Sequence, residues 1–267
     1  MTMPIQDGRN ILHIICASGY TKYAHLLLTA ASNKGLLLDL LDSREQLQLQ
    51  TPLFFAIRSA PNGFPEIIQL LIKQGCNVNL RDNLGRSAVH YAAEQGQDDT
   101  LQLLIQSGAE VNYQDSEGGV TPLHMAIMNG QFNAVSILCQ EGKAKVELKD
   151  KKGDSLLHYA AVTQGNASLY IRYLIEKQNA SAFLTNNEGL TPRGLAEKTD
   201  RQKFHRVIKN LKKYEGLELS KKEPEIVERH VTVYQYENDI QTKLLNNLPI
   251  SVVISVAIGY LLFYLTN

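Results

Sequence analysis

Residues 121–126 read TPLHMA, and five other stretches are variants of the same six letters: NILHII at 10–15, TPLFFA at 51–56, SAVHYA at 87–92, SLLHYA at 155–160 and TPRGLA at 191–196. Successive copies start 41, 36, 34, 34 and 36 residues apart. A period in this range marks stacked supersecondary units. A second landmark tests the register. An apolar pair stands 16 and 17 residues after the start in four copies, as Leu26–Leu27, Leu103–Leu104, Ile137–Leu138 and Val207–Ile208. It comes three positions late as Leu70–Leu71, after the interruption PNGFP, and two late as Tyr173–Leu174.

The chemistry of each unit predicts helix, turn, helix, loop. Every copy opens on a good N-cap residue: Asn10, Thr51, Ser87, Thr121, Ser155 or Thr191. Such a side-chain oxygen can accept from an amide that the first helical turn leaves unpaired. Pro52, Pro122 and Pro192 follow at the one helical position where a missing N–H costs nothing. The second helix carries apolar residues at helical spacing, as in Leu101, Leu104 and Ile105, and is expected to stop at Gly75, Gly108 or Gly142. Helices this short bury their apolar faces only against neighbours, so the units must stack.

The Thr-Pro-Leu-His-x-Ala segments, Gly-Cys-Asn-Val-Asn at 75–79, Gly-Ala-Glu-Val-Asn at 108–112, the Asp82-Asn83-Leu84-Gly85 turn and the repeated Gly19, Gly96 and Gly130 resemble the ankyrin repeat family. The resemblance covers residues 6–215. It implies an all-α solenoid of about six helix-turn-helix repeats with hairpin-like loops projecting from it. It also implies that His13, His90, His124 and His158, one per repeat, hold neighbouring loops by hydrogen bonds. Protein partners would then meet the loop tips and the exposed side of each first helix, which line a concave surface. Carried over repeat by repeat, that surface comprises Asn83, Leu84, Arg86, Glu94 and Gln95 in the third repeat, Ser116, Glu117, Met128 and Asn129 in the fourth, and Lys151, Lys152, Asp154 and Thr163 in the fifth. Its mixture of apolar and oppositely charged groups suits a protein partner.

Three departures stand out. The link SNKGLLLDLLDSREQLQLQ between the first two repeats is several residues too long, and its LLLDLLD either extends a helix or bulges as a loop. The fifth repeat has Gln178-Asn179 where a helix-ending Gly belongs. The sixth has Arg193 and Gly194 in place of Leu and His, and a basic second helix (Arg201, Lys203, Arg206, Lys209, Lys212, Lys213), which reads as a solvated cap on the stack.

Composition and motifs narrow the function. Lys plus Arg is 27 and Asp plus Glu is 27, so no excess positive charge points to nucleic acid. Cys16, Cys76 and Cys139 are odd in number and widely spaced, which fits buried small hydrophobes better than disulfides. The aligned histidines stand about a repeat apart, too far to share a metal, and His25, His205 and His230 have no ligand-spaced neighbours, so neither metal nor cofactor is expected. No Gly-x-Ser-x-Gly elbow, phosphate loop or dinucleotide fingerprint occurs, so no catalytic residue is assigned and an enzyme would need a site built on the repeats themselves. Asn79 and Asn112 resemble loop asparagines hydroxylated in some ankyrin proteins, but a turn role is favoured; the KAKVELKDKKGD stretch at 143–154 reads as a solvated face of mixed charge.

The end of the sequence differs. After Lys243 no charged residue occurs, and Leu248–Leu265, LPISVVISVAIGYLLFYL, is an 18-residue apolar run. At 1.5 Å per residue it spans about 27 Å, near the hydrocarbon thickness of an endoplasmic reticulum bilayer. A docked surface helix would keep a charged face, and this run has none. The expectation is therefore a single transmembrane helix of the tail-anchored kind at 248–265, the array cytosolic, the endoplasmic reticulum favoured, and a linker of unassigned structure at 216–247. Ser251, Ser255 and Gly259 fall on one helix face, where small residues let two membrane helices approach as a homodimer. The reading is a membrane-tethered scaffold that binds proteins through its concave surface; the alternative is a soluble binder whose tail is buried or dimerises.

Overall fold

The computed structural model describes residues 7–163 and 165–217. The 248–265 run with Ser251, Ser255 and Gly259, almost all of the 216–247 linker, and His230 lie outside the described residues. Among those described, the regular structure is helical, with no strand and only an isolated bridge between Arg81 and Ser87. None of the described helices is long and apolar enough to cross a membrane.

Helices come in pairs. The first pair is α1 (Ile11–Ser18) and α2 (Thr21–Asn33), followed by a short helix α3 (Leu37–Leu41). Next come α4 (Pro52–Arg58) with α5 (Pro65–Lys73), α6 (Ala88–Gln95) with α7 (Asp98–Gln106), and α8 (Pro122–Met128) with α9 (Phe132–Gln140). The last are α10 (Leu156–Val162) with α11 (Ala167–Glu176), and α12 (Pro192–Asp200) with the helical stretch 205–217, here α13. Helices α1, α4, α6, α8, α10 and α12 touch in succession as an inner row, and α2, α5, α7 and α9 do the same as an outer row. These repeats belong to one compact unit that ends at Tyr214.

The repeated six letters start the inner helices as expected. Asn10, Thr51, Ser87, Thr121, Ser155 and Thr191 are all N-cap residues with extended backbone, and Pro52, Pro122 and Pro192 open the helices behind them. The sixth letter explains the close spacing of the row. Ala56, Ala92, Ala126, Ala160 and Ala196 are wholly buried, so a larger side chain there would have to push neighbouring helices apart. On the outer row Leu28, Leu71, Leu104, Leu138 and Leu174 close the core. In the first repeat the landmark pair is misplaced: Leu26 is 67% exposed, and Leu28 takes the buried position. The over-long link folds as α3, which buries Leu40 and Leu41.

Loop endings follow the sequence with one correction. Gly75 and Gly108 have φ of 88° and 79°, the left-handed conformation a side chain disfavours. Gly142 does not; Lys143, next to it, takes φ 51°. In the fifth repeat Asn179 supplies the left-handed residue with φ 58°, a role Asn tolerates better than most.

Candidate functional site

Each loop is built on a carboxylate or amide that closes its own turn, buried in Asp82, Asp115 and Asp150 and half-buried in Asn186. Asp82 Oδ1 accepts from Leu84 N and Arg86 N, Asp115 Oδ1 from Gly118 N and Val120 N, Asp150 Oδ1 from Lys152 N and Asp154 N, and Asn186 Oδ1 from Glu188 N and Leu190 N. The turns are then sewn to each other by main-chain bonds: Asn83 N donates to Gln48 O, Ser116 N to Leu84 O, Lys151 N to Gly118 O and Asn187 N to Lys152 O, all within 2.7–2.9 Å. A band of turn tips thus runs along the stack as a fixed surface.

The histidines anchor that band to the inner helices. In each of the four, Nδ1 accepts from the N-cap N–H of its own helix, which puts the proton on Nε2. Nε2 of His13, His90 and His158 then donates to Gln50 O, Val120 O and Leu190 O, the carbonyl just before the next N-cap, at 2.8–3.2 Å. His124 Nε2 meets the corresponding carbonyl, Asp154 O, only outside good hydrogen-bond geometry. Burial lowers the pKa of all four, to about 4 for His90 and His124, so they serve as neutral links. The loop asparagines are links too: Asn79 Oδ1 accepts from Glu110 N, and Asn112 Oδ1 accepts from Lys145 N. Burial raises the thiols of Cys16 and Cys76 to about 12 and of Cys139 to about 11.

Between turn tips and inner row lies a groove of about 440 Å³. Six of the expected surface residues line it: Asn83, Leu84, Arg86, Glu94, Gln95 and Asn129. Ser116, Glu117, Lys151 and Lys152 are exposed on the neighbouring tips, and Met128 is half exposed at the end of α8. Asp154 is occupied by Asn186 Nδ2 at 2.8 Å. Thr163 does not belong to the surface. It is buried, and its hydroxyl donates to Ile127 O at 3.0 Å, tying the fifth repeat to the fourth.

The groove also holds residues that the sequence reading passed over. Arg58 lies over the Tyr91 ring, 4.7 Å from its centroid, and its Nη1 donates to Gln48 Oε1 and Gln50 Oε1. Tyr91 O–H donates to Asp82 Oδ2 at 2.5 Å; burial, then the Asp82 carboxylate, pushes its pKa up to about 12. Arg86 Nε reaches Asp115 Oδ2 at 3.4 Å. Burial works against the Arg86 charge, but Tyr91, Asp115 and Glu94 outweigh it and raise its pKa. Arg58 stands seven residues after its cap Thr51, as Glu94 does after Ser87 and Met128 after Thr121. Extending that register to the second repeat is the signal that finds it. The groove therefore presents two guanidinium groups, the Glu94 carboxylate, the Asp82 carboxylate already held by Tyr91, several amides and a leucine rim, held by a fixed frame. That set can bind by hydrogen bonds, ion pairing and apolar contact.

A family model for ankyrin repeats in three copies matches residues 2–82, 27–115, 59–150 and 110–187, which together span well over half of the sequence. The chain belongs to the ankyrin-repeat family. Among curated relatives of this ankyrin array, the nuclear factor NF-kappa-B p105 subunit of Gallus gallus is 29% identical over 209 residues, 77% of this chain and 20% of that protein. Rabankyrin-5 of Mus musculus is 29% identical over 148 residues, 55% of this chain and 12% of its own length. The phosphocholine transferase AnkX of Legionella pneumophila is 27% identical over 113 residues, 41% of this chain and 12% of that enzyme. The chain thus matches a fifth or less of each of these relatives. Ankyrin repeats are protein-interaction modules, and this array is one.

Proposed function

We propose that the chain is a scaffold that holds a client protein in the groove between turn tips and inner helices, and that residues 248–265 tether it to a bilayer with the array on the cytosolic side. The observation that carries the binding reading is the convergence of Arg58, Arg86, Glu94, Gln95, Asn83 and Asn129 on one open groove. Opposite charges set within reach of an apolar rim select a partner of complementary pattern and restrict its orientation. The tether rests on the sequence, 18 residues without a charge. Its length of about 27 Å suits the thinner endoplasmic reticulum membrane. A tether raises the effective concentration of a captured client near that membrane without any new contact.

Proximity labelling in cells with the full chain tests the binding half. Arg58→Glu combined with Glu94→Lys is expected to lose a labelled client while circular dichroism still shows the helical array; the thermal midpoint should fall only modestly, by what Arg58 loses at the Tyr91 ring and at Gln48 and Gln50. Undiminished labelling moves the client to another surface. Carbonate extraction of membranes tests the tether: the chain is expected in the pellet, and release into the supernatant favours a binder whose tail is buried or dimerises.

A further inference from the structure

A second cavity of the described chain, about 960 Å³, is a cleft between the start of α11 and the segment 202–214. Arg172, Lys203, His205, Arg206 and Lys213 line it, and no carboxylate does among the described residues. Arg206, Asn210 and Lys213 recur every three or four residues on α13, so they share a helix face, and Asn210 Nδ2 fixes that face to Ser168 Oγ at 2.9 Å. The floor is apolar: Phe204 and Val207 are buried, and Leu169 is half-buried.

Two acids near it in the described chain are already engaged. Asp200 Oδ1 accepts from the backbone N–H of Gln202 and Lys203, and Glu176 Oε1 accepts from the Tyr214 hydroxyl. Among the described residues, none of Arg172, Lys203, Arg206 or Lys213 has a carboxylate in ion-pairing range. A solvated cap explains why the end of the stack is polar. It does not explain why only one sign of charge faces a concave, apolar-floored cleft in a chain whose net charge is zero. Lysines and arginines of one sign repel each other, and that repulsion is relieved when an anion enters.

We propose that this cleft is a second docking site, which takes an acidic segment of a partner protein with apolar side chains interleaved among its carboxylates. The cationic rim supplies charge complementarity, and the floor of Phe204, Val207 and Leu169 accepts the apolar residues. The concavity and the apolar floor favour a protein segment over a flat lipid surface. The site is separate from the groove lined by Arg58 and Glu94 and stands without it.

A fluorescein-labelled peptide of alternating glutamate and leucine, titrated by anisotropy into the full chain in a non-ionic detergent, tests this. The chain is expected to bind it, to weaken as salt is added, and to lose affinity about tenfold or more in the Lys203→Glu, Arg206→Glu, Lys213→Glu triple variant. Lys22→Glu, at an exposed cation on α2 outside both the cleft and the groove, is expected to leave the titration unchanged, which separates the cleft from general charge attraction. Equal binding by the triple variant, or equal binding of a lysine–leucine peptide, overturns the proposal. Tighter binding of phosphatidylserine vesicles or of a single-stranded oligonucleotide, lost in the same variant, overturns it in favour of lipid or nucleic acid. Circular dichroism checks the fold of the variant; should it unfold, Arg206→Glu alone is read by the same titration.

Discussion

At neutral pH the imidazoles of His90 and His124 carry no charge in the folded chain, since burial lowers them to about 4 from an ordinary 6.5. Unfolded, each takes up a proton as the pH drops through 6.5; folded, neither does until near 4. Between those values the unfolded state binds more protons, so stability falls as the pH falls through that window and levels off below it. His13 and His158 are shifted in the same direction and add to the effect. The loss is on the order of a few kcal/mol for each fully buried ring. Urea midpoints are expected to decline steadily from neutral pH towards pH 4, with a shallower decline in His90→Gln; a flat profile contradicts the neutral-link role. Thr163 is argued on the same scale. Thr163→Val removes the hydroxyl that serves Ile127 O and is expected to lower stability by about 1 kcal/mol. Client labelling should not change, because the residue faces the interior.

Loop endings show how the choice of one residue decides an element. An added Cβ on Gly142 would sit 2.8 Å from Leu138 O, a backbone atom that cannot move aside as a side chain end can. Gly142→Ala is therefore expected to destabilise by about 1–3 kcal/mol, the usual size of an overpacking strain. Gly142 is kept for space rather than for a left-handed backbone, a distinction that periodicity alone does not carry. Asn179 is the converse case. It occupies a left-handed position without being glycine, and Asn179→Gly should be neutral or gain up to about 1 kcal/mol by relieving the Cβ clash. Calorimetric midpoints of both variants test the pair. The helix starts were legible from sequence because caps and prolines act within one turn. The aligned histidines were legible because the repeat multiplies the signal. Leu28 was not, since it depends on a one-residue drift of the first repeat against its neighbours; Thr163 was not, since it keeps the register of Asn129 but ends α10 with extended backbone, φ −67° and ψ 145°. The Arg58–Tyr91 contact was hidden because it crosses from one repeat to the next, where no local pattern reports it.

A stack of repeats is held by nearest-neighbour contacts, so its ends and its middle differ in stability. The middle repeats, α6 to α9, have neighbours on both sides, and Ala92, Leu104, Ala126 and Leu138 among them are wholly buried. Among the described residues, the first repeat has a repeat beside it on one flank. Tyr23 and Leu26 of α2 are 63% and 67% exposed, and Tyr20, also exposed, packs its ring only edge-on to Tyr23. The long link to the second repeat depends on α3, a five-residue helix whose Leu38 is exposed while Leu40 and Leu41 reach the core. Opening α2 and α3 breaks one interface, whereas opening α7 breaks two. Hydrogen exchange on the full chain is thus expected to release α2 and α3 amides first and those of α6 to α9 last, with α1 held longer than α2 by its contact with α4. Leu104→Ala should then speed exchange in α5 and α9 as well as in α7, because the lost contacts lie on both interfaces, while Leu26→Ala should leave all three untouched. Uniform exchange across the six repeats would mean that the array opens as a single cooperative block, and that its first repeat contributes nothing to where unfolding begins.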